Sequence, residues 1–344
     1  MSSTFKKLAL ASAILAASTQ LQAAQSLHIY AWSSELPQEI LQDFTAKTGI
    51  DVTLDTFDSN ETLLAKLSAG ASGYDLIEPS QYAVQILANK SLIEPLDHSK
   101  LPSLKNLSET FQTVSYDNGN KYSVPYVWGT TGLAYNDECV KTPVTSWKAL
   151  WDPAYEGRIY MLDNMLSAYI AALQVNGFKS GTSDQAEIDK ATASLIEQKK
   201  ILGGYNSSNF ADLVSSGEAC IVQAYNSNIS QITAQNPHVH YVIPDEGGSM
   251  WIDSLAVTKG AKNREAAYAF IEYILQPDVA AKAAELSKAA TTVAAAKALL
   301  PAETVNNPAI YPDEARLKKA DFILDLGKAT QLYQDGWTRV KTAQ

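Results

Sequence analysis

YSVPYVWGTTGLAYN, Tyr122 to Asn136, is one long extended run, rich in aromatics and broken by Pro125 and by Gly129-Thr130-Thr131-Gly132. Such a run suits a chain that crosses from one lobe to another; the alternative is an ordinary core strand. A second stretch, MWIDSLAVT from Met250 to Thr258, reads as another crossing strand. Two α/β blocks joined by more than one extended segment imply two lobes with a cleft between them.

Outward from the first crossing toward the N-terminus, strands alternate with helices. Leu27 to Tyr30 has strand character and stops at Trp32-Ser33-Ser34-Glu35. Pro37 to Thr48 places Ile40, Leu41 and Phe44 on one helix face and ends at Gly49. Ile50, Val52 and Leu54 then alternate like a strand. Asp58 and Glu61 have capping-box spacing ahead of Leu63, Leu64 and Leu67, and Gly70 closes that helix. Tyr74 to Ser80, YDLIEPS, is a short apolar strand ended by Pro79, with Ser80 placed to cap the next helix. This order with short links argues a parallel, doubly wound sheet. Toward the C-terminus the pattern repeats. A strand is expected at Arg158–Leu162, helices from Asp163 to about Val175 and around Ala186–Lys199, and a strand at Cys220–Tyr225. Another helix is expected at Arg264–Leu275, and the tail from Tyr311 reads as helical and amphipathic.

The first residues have the order of a secretory signal: Lys6-Lys7, an apolar run from Leu8 to Ala17, then small residues up to Ala23. Cleavage after Ala23 is expected, giving a soluble, exported protein with no other membrane span. The whole chain has 27 basic and 37 acidic side chains; removing the two signal lysines leaves 25 against 37, a formal charge of −12. That balance argues against nucleic acid and favours cationic ligands or simple solubility. In an oxidising compartment an even pair of cysteines can bridge, and the sequence leaves the pairing of Cys139 with Cys220 open.

Signs of an enzyme are lacking. No Gly-x-Ser-x-Gly elbow, phosphate-binding Gly-Lys-Ser/Thr loop or His-Glu-x-x-His pattern occurs. His238-x-His240 lies in a stretch that reads as an edge strand, and no metal or other cofactor is expected. Aromatic and polar residues at strand ends are the stronger signal, because open α/β sheets bind ligands there. Trp32-Ser33-Ser34-Glu35, Ser80-Gln81-Tyr82, Asp163-Asn164 and Tyr225-Asn226 all fall at such ends, while Trp251 and Asp253 share one face of the second crossing. Carboxylates beside aromatic faces suit a cationic amine.

Four long stretches carry a resemblance: LHIYAWSSELP, TFDSNETLLAKLSAGASGYDLIEPSQYAV, YSVPYVWGTTGLAYN and EGGSMWIDSLAVTKGAKNREAAYAFIEYILQPDVA. They are similar to the periplasmic spermidine/putrescine-binding proteins of bacterial ABC importers. The resemblance implies a type II two-lobed periplasmic binding fold that closes around one polyamine and delivers it to a permease. It implies aromatic walls from Trp32 and Tyr82, hydrogen bonds from Ser33 and Ser80, stacking by Trp251 and an ammonium grip by Asp253. Tyr225 stands where that family usually has a Trp.

The departures fall on charge. Where that family carries acids in the first turn after the YMLD strand, this chain has Asn164 and Ser167, with Asp163 the nearest acid. Those two positions share a helix face, so one subsite is affected. Glu35 replaces a usual Tyr, Glu78 an apolar residue, and Ile323 falls where some relatives use Gln. The expected organisation is a signal at 1–23, a first lobe of 26–128 plus 254–300, and a second of 129–253 plus 301–344. The expected function is a monomeric periplasmic polyamine receptor for an ABC importer. An amine sensor acting through a membrane receptor, or a receptor for an amino acid or monoamine, stays open.

Overall fold

The computed structural model describes residues 26–70 and 73–343. The expected signal peptide at 1–23 lies outside them. The chain begins with β1 (Ser26–Trp32), α1 (Gln38–Thr48), β2 (Asp51–Phe57), α2 (Asn60–Ser68), β3 (Leu76–Ile77) and α3 (Gln81–Asn89). β1 runs parallel to both β2 and β3, as strands joined by crossover helices must. α1 buries Ile40, Leu41 and Phe44 and stops at Gly49, whose φ of 72° a side chain would oppose.

A short α4 (Glu109–Gln112) precedes β4 (Val124–Asn136), which is buried along all 13 of its residues. The second block holds β5 (Ile159–Met161), α5 (Met165–Val175), α6 (Gln185–Lys199), β6 (Gly204–Tyr205) and α7 (Phe210–Ser215). It continues with β7 (Ile221–Tyr225), α8 (Asn226–Thr233) and β8 (Val239–Val242). β9 (Ser249–Val257) then returns antiparallel to β4, and their register shifts between Pro125 and Val127, where the proline has no N–H to give. α9 (Arg264–Ile274), α10 (Pro277–Ser287), β10 (Ala290–Thr291), α11 (Ala302–Val305) and α12 (Glu314–Leu317) follow. β11 (Asp321–Phe322) and α13 (Thr330–Thr342) end the described chain.

The strand order β2-β1-β3-β9-β4-β7-β5-β6 puts the two long antiparallel strands at the centre, with a parallel group on either side. Apolar side chains segregate accordingly. One core gathers Leu27, Phe44 and Leu63 with Ile252, Leu255, Phe270 and Ile310. Another gathers Leu133, Trp147, Ile159, Tyr169 and Tyr333, with a smaller cluster around Phe210 and Val222. The hand-over lies within β4, where Trp128 belongs to the first core and Leu133 to the second. On the C-terminal side Ile310 packs in the first core.

Three local readings are corrected. α2 is capped by Ser59, whose hydroxyl accepts from the Thr62 N–H, so Asp58 and Glu61 form no capping box. Ser80 occupies the position before α3 but makes no capping bond; its hydroxyl goes elsewhere. The tail from Tyr311 is not one helix: β11 pairs with β9 before α13 begins. Cys139 and Cys220 are bridged, with Cα atoms 5.5 Å apart, because the exit of β4 lies beside the start of β7. His238 and His240 both bond Asp137, at 2.8 and 2.7 Å. Among the described residues no group of His, Cys, Asp and Glu is arranged to hold a metal ion.

Candidate ligand-binding site

The C-terminal ends of β1, β5 and β7 meet the start of α3 and the front half of β9 at a cavity of about 200 Å³. Ten of the side chains singled out above line it, namely Trp32, Ser33, Glu35, Ser80, Tyr82, Asn164, Ser167, Tyr225, Trp251 and Asp253, whereas Glu78, Asp163 and Asn226 do not. Parallel strands deliver this convergence, since their carboxyl ends share one edge of the sheet. Tyr82 and Leu166 also line a second, outer cavity of about 580 Å³. Tyr82 donates its hydroxyl to Glu61 at that boundary.

Charge is concentrated at the first-lobe wall. Asp253 is 5% exposed and accepts a 2.6 Å bond from the Ser80 hydroxyl. Ser80 is in turn fixed by Asn60, which bonds both its hydroxyl and its backbone N–H. Ser80 therefore orients Asp253 rather than offering a free hydroxyl. The Trp32 indole N–H lies close enough to favour the ionised Asp253 but has no acceptor in hydrogen-bond geometry. Glu35, also 5% exposed, accepts weak bonds from Ser34 and, across the cleft, from Ser227 at 3.3 Å. Its second oxygen, Oε2, is buried without a partner. Glu78 is fully buried behind the strand tips, where one oxygen accepts from the Trp32 N–H and the other has no partner.

These three carboxyl groups resist ionisation. Burial, then the nearby Asp253, pushes Glu35 up to about 8. Burial raises Asp253 to about 7, against the pull of Ser80 and Trp32. Glu78 is raised well above the ordinary range by burial and by both neighbours. Among the described residues no Lys, Arg or His lines the cavity. The arrangement is one that a cation would relieve.

The second-lobe wall is neutral. Asn164 accepts from the Ser167 N–H at 2.9 Å and so caps α5. The Ser167 hydroxyl lies beside that of Tyr225, and its carbonyl takes the Gln223 amide. Asp163 turns outward to Lys341 at 2.8 Å and supplies no charge to the cavity. Ser33 is exposed at the rim. Trp251 lies over Gly129, where a side chain would collide with its ring and with Asn226. Reading the sequence passed over Ser207, Ser227, Asn228 and Met250, which also line the cavity. Nothing in their spacing distinguishes them from loop and helix residues. Glu78 was noted only as a substitution, although an acid inside an apolar strand was a usable sign.

Fold and cavity together define a type II, two-lobed binding protein with its ligand site in the interlobe cleft. A family model for bacterial extracellular solute-binding proteins matches residues 39–312, and the chain belongs to that family. The spermidine/putrescine-binding periplasmic protein of Escherichia coli (strain K12) is 34% identical over 321 residues, covering 93% of this chain and 92% of that protein. A putrescine-binding periplasmic protein of the same organism is 33% identical over 358 residues, covering 97% and 96%. Among solved structures, the substrate-binding protein of a Streptococcus pneumoniae spermidine/putrescine ABC transporter superposes with a TM-score of 0.79 at 31% identity. That match covers 93% of this chain and 99% of the other. Among the described residues no helix is long and apolar enough to cross a membrane.

Proposed function

We propose that the protein is a periplasmic receptor that captures a polyamine or related cationic amine and hands it to an ABC importer. The observation that carries this reading is the buried group Glu35, Glu78 and Asp253, which has no basic partner and stands beside Trp32 and Trp251. An ammonium there gains charge-assisted hydrogen bonds and aromatic faces at once. The kinship to spermidine- and putrescine-binding proteins supports the same ligand class. Those names also support a place in the periplasm, and the Streptococcus pneumoniae transporter protein supports an ABC partner; action as a monomer on a permease, without catalysis, is part of the same proposal. The lobes divide at β4 and β9, which serve as the hinge, and Glu35 and Ser227 meet across the cleft.

A thermal-shift series with putrescine, spermidine, amino acids and betaines tests this. A ligand at 100 times its dissociation constant stabilises the native state by about 2.7 kcal/mol, which raises the melting temperature. Amines should do so and betaines should not. A series in which no amine shifts the transition sinks the reading.

A further inference from the structure

We infer that the preferred ligand is an N-acylated polyamine, held by its one free ammonium at the first-lobe wall and by its amide at the second. This rests on the cationic-amine reading above and narrows it. The lining carboxylates Glu35, Asp58 and Asp253 all stand on the first-lobe side or on β9 where β9 meets the first core, and none comes from the second-lobe wall. Two acids lie beside that wall: Asp163 is committed to Lys341, and Glu61 accepts from the Tyr82 hydroxyl and lines the outer cavity with Met165 and Leu166. A second ammonium would therefore lose its water beside the N-terminus of α5, where the helix dipole repels it, with no carboxylate of the second wall in the cavity to meet it.

An uncharged amide meets the opposite conditions. The Ser207 hydroxyl is buried at the cavity without any partner, free to donate to an amide carbonyl. Leu166 and Ile170 line the same wall and can cover an acyl methyl. At the other end, Glu35 Oε2 lacks a partner in a side chain that is 5% exposed, so the first wall is built to receive a donor. Asp253 lies close enough to Glu35 to raise it, so a single ammonium at this wall meets both carboxyl groups.

Titration calorimetry on the wild-type protein decides, with putrescine, N-acetylputrescine and 4-acetamidobutanoate. N-Acetylputrescine should bind more tightly than putrescine, by about threefold or more. 4-Acetamidobutanoate, which keeps the amide and lacks the ammonium, should not bind. N-Acetylputrescine binding no more tightly than putrescine overturns the inference and leaves the polyamine reading intact. Failure of both amines overturns the two together. Binding of 4-acetamidobutanoate as tight as that of N-acetylputrescine also overturns the inference, because the ammonium would then contribute nothing.

Discussion

The two walls of the cleft use the same parts, strand tips and helix starts, and reach opposite electrostatics. At the first wall, donors from distant segments converge on carboxylates: Ser80 on Asp253, Ser227 on Glu35, the Trp32 backbone on Glu78. At the second, most polar groups are spent on neighbours, and the Ser207 hydroxyl is left over. Asn164 caps α5, Gln223 holds the Ser167 carbonyl, and Asp163 leaves for Lys341. A strand tip thus becomes charged only where the fold supplies donors and leaves an oxygen over. The first wall still has two such oxygens, on Glu35 and Glu78.

Removing charge from the first wall should have the largest effect. Asp253→Asn preserves shape and can still accept from Ser80, but leaves a buried ammonium without its main partner. Breaking such a desolvated pair costs about 2–5 kcal/mol, on the order of 30- to several-thousand-fold in affinity. The ligand-free protein should meanwhile gain stability, because Asp253 raises both Glu35 and Glu78. Calorimetry and thermal unfolding on one sample check both. A loss under about threefold would mean that the charged wall does not grip the ligand.

Next in size is damage at the crossing that joins the walls. Gly129→Ala would drive a methyl into the Trp251 ring and the Asn226 side-chain Oδ1, which accepts the Thr130 N–H. Overpacking of this kind costs roughly 1–3 kcal/mol, and displaced Trp251 should weaken amine binding as well. Unchanged tryptophan fluorescence and unchanged affinity would remove Trp251 from the site.

Proton linkage separates the walls more finely. In the unfolded chain Glu35 and Asp253 ionise near 4.5 and 3.8; in the fold they hold protons to about 8 and 7. A raised carboxyl pKa stabilises the fold at acid pH, so this contribution is complete below about pH 4 and is lost as pH rises through 7 to 8. The ligand-free protein should therefore lose stability between pH 5 and 8 relative to a Glu35→Gln variant. Amine affinity should run the other way, rising by up to about tenfold per pH unit for each proton that must leave. Calorimetry near pH 7 in buffers of different ionisation heat should show protons released on binding. A pH-independent affinity with no release would mean that the first wall is already ionised.

How much of this was legible in the residues depends on the reach of each interaction. Helix ends set by local geometry, such as Gly49, could be read directly, as could the two crossings, whose length and aromatic content stand apart from the short strands around them. The shared face of Trp251 and Asp253 followed from strand periodicity. Long-range pairing could not be read. Ser80 looks like a helix cap until Asp253, 173 residues away, takes its hydroxyl. β11 is two residues long and carries no periodicity of its own; only pairing with β9 makes it a strand. The disulfide depended on two strand ends lying side by side, which spacing along the chain does not reveal.

The smallest expected effect bears most directly on the neutral wall. Asn164→Asp keeps the cap on α5, since Asp serves there as well as Asn. Its new carboxylate faces a helix N-terminus, which favours negative charge, so the fold should tolerate it. The variant makes the second wall resemble the first. Putrescine should then bind more tightly by up to about fivefold, the upper end for an exposed ion pair of about 1 kcal/mol. N-Acetylputrescine has no charge at that end, so it should gain nothing and can lose affinity. The ratio of the two affinities is the measurement that counts, because it cancels any general change in closure or stability. If both ligands shift together, or neither does, position 164 does not meet the far end of the ligand. The asymmetry of the walls would then be a property of the fold and not of recognition.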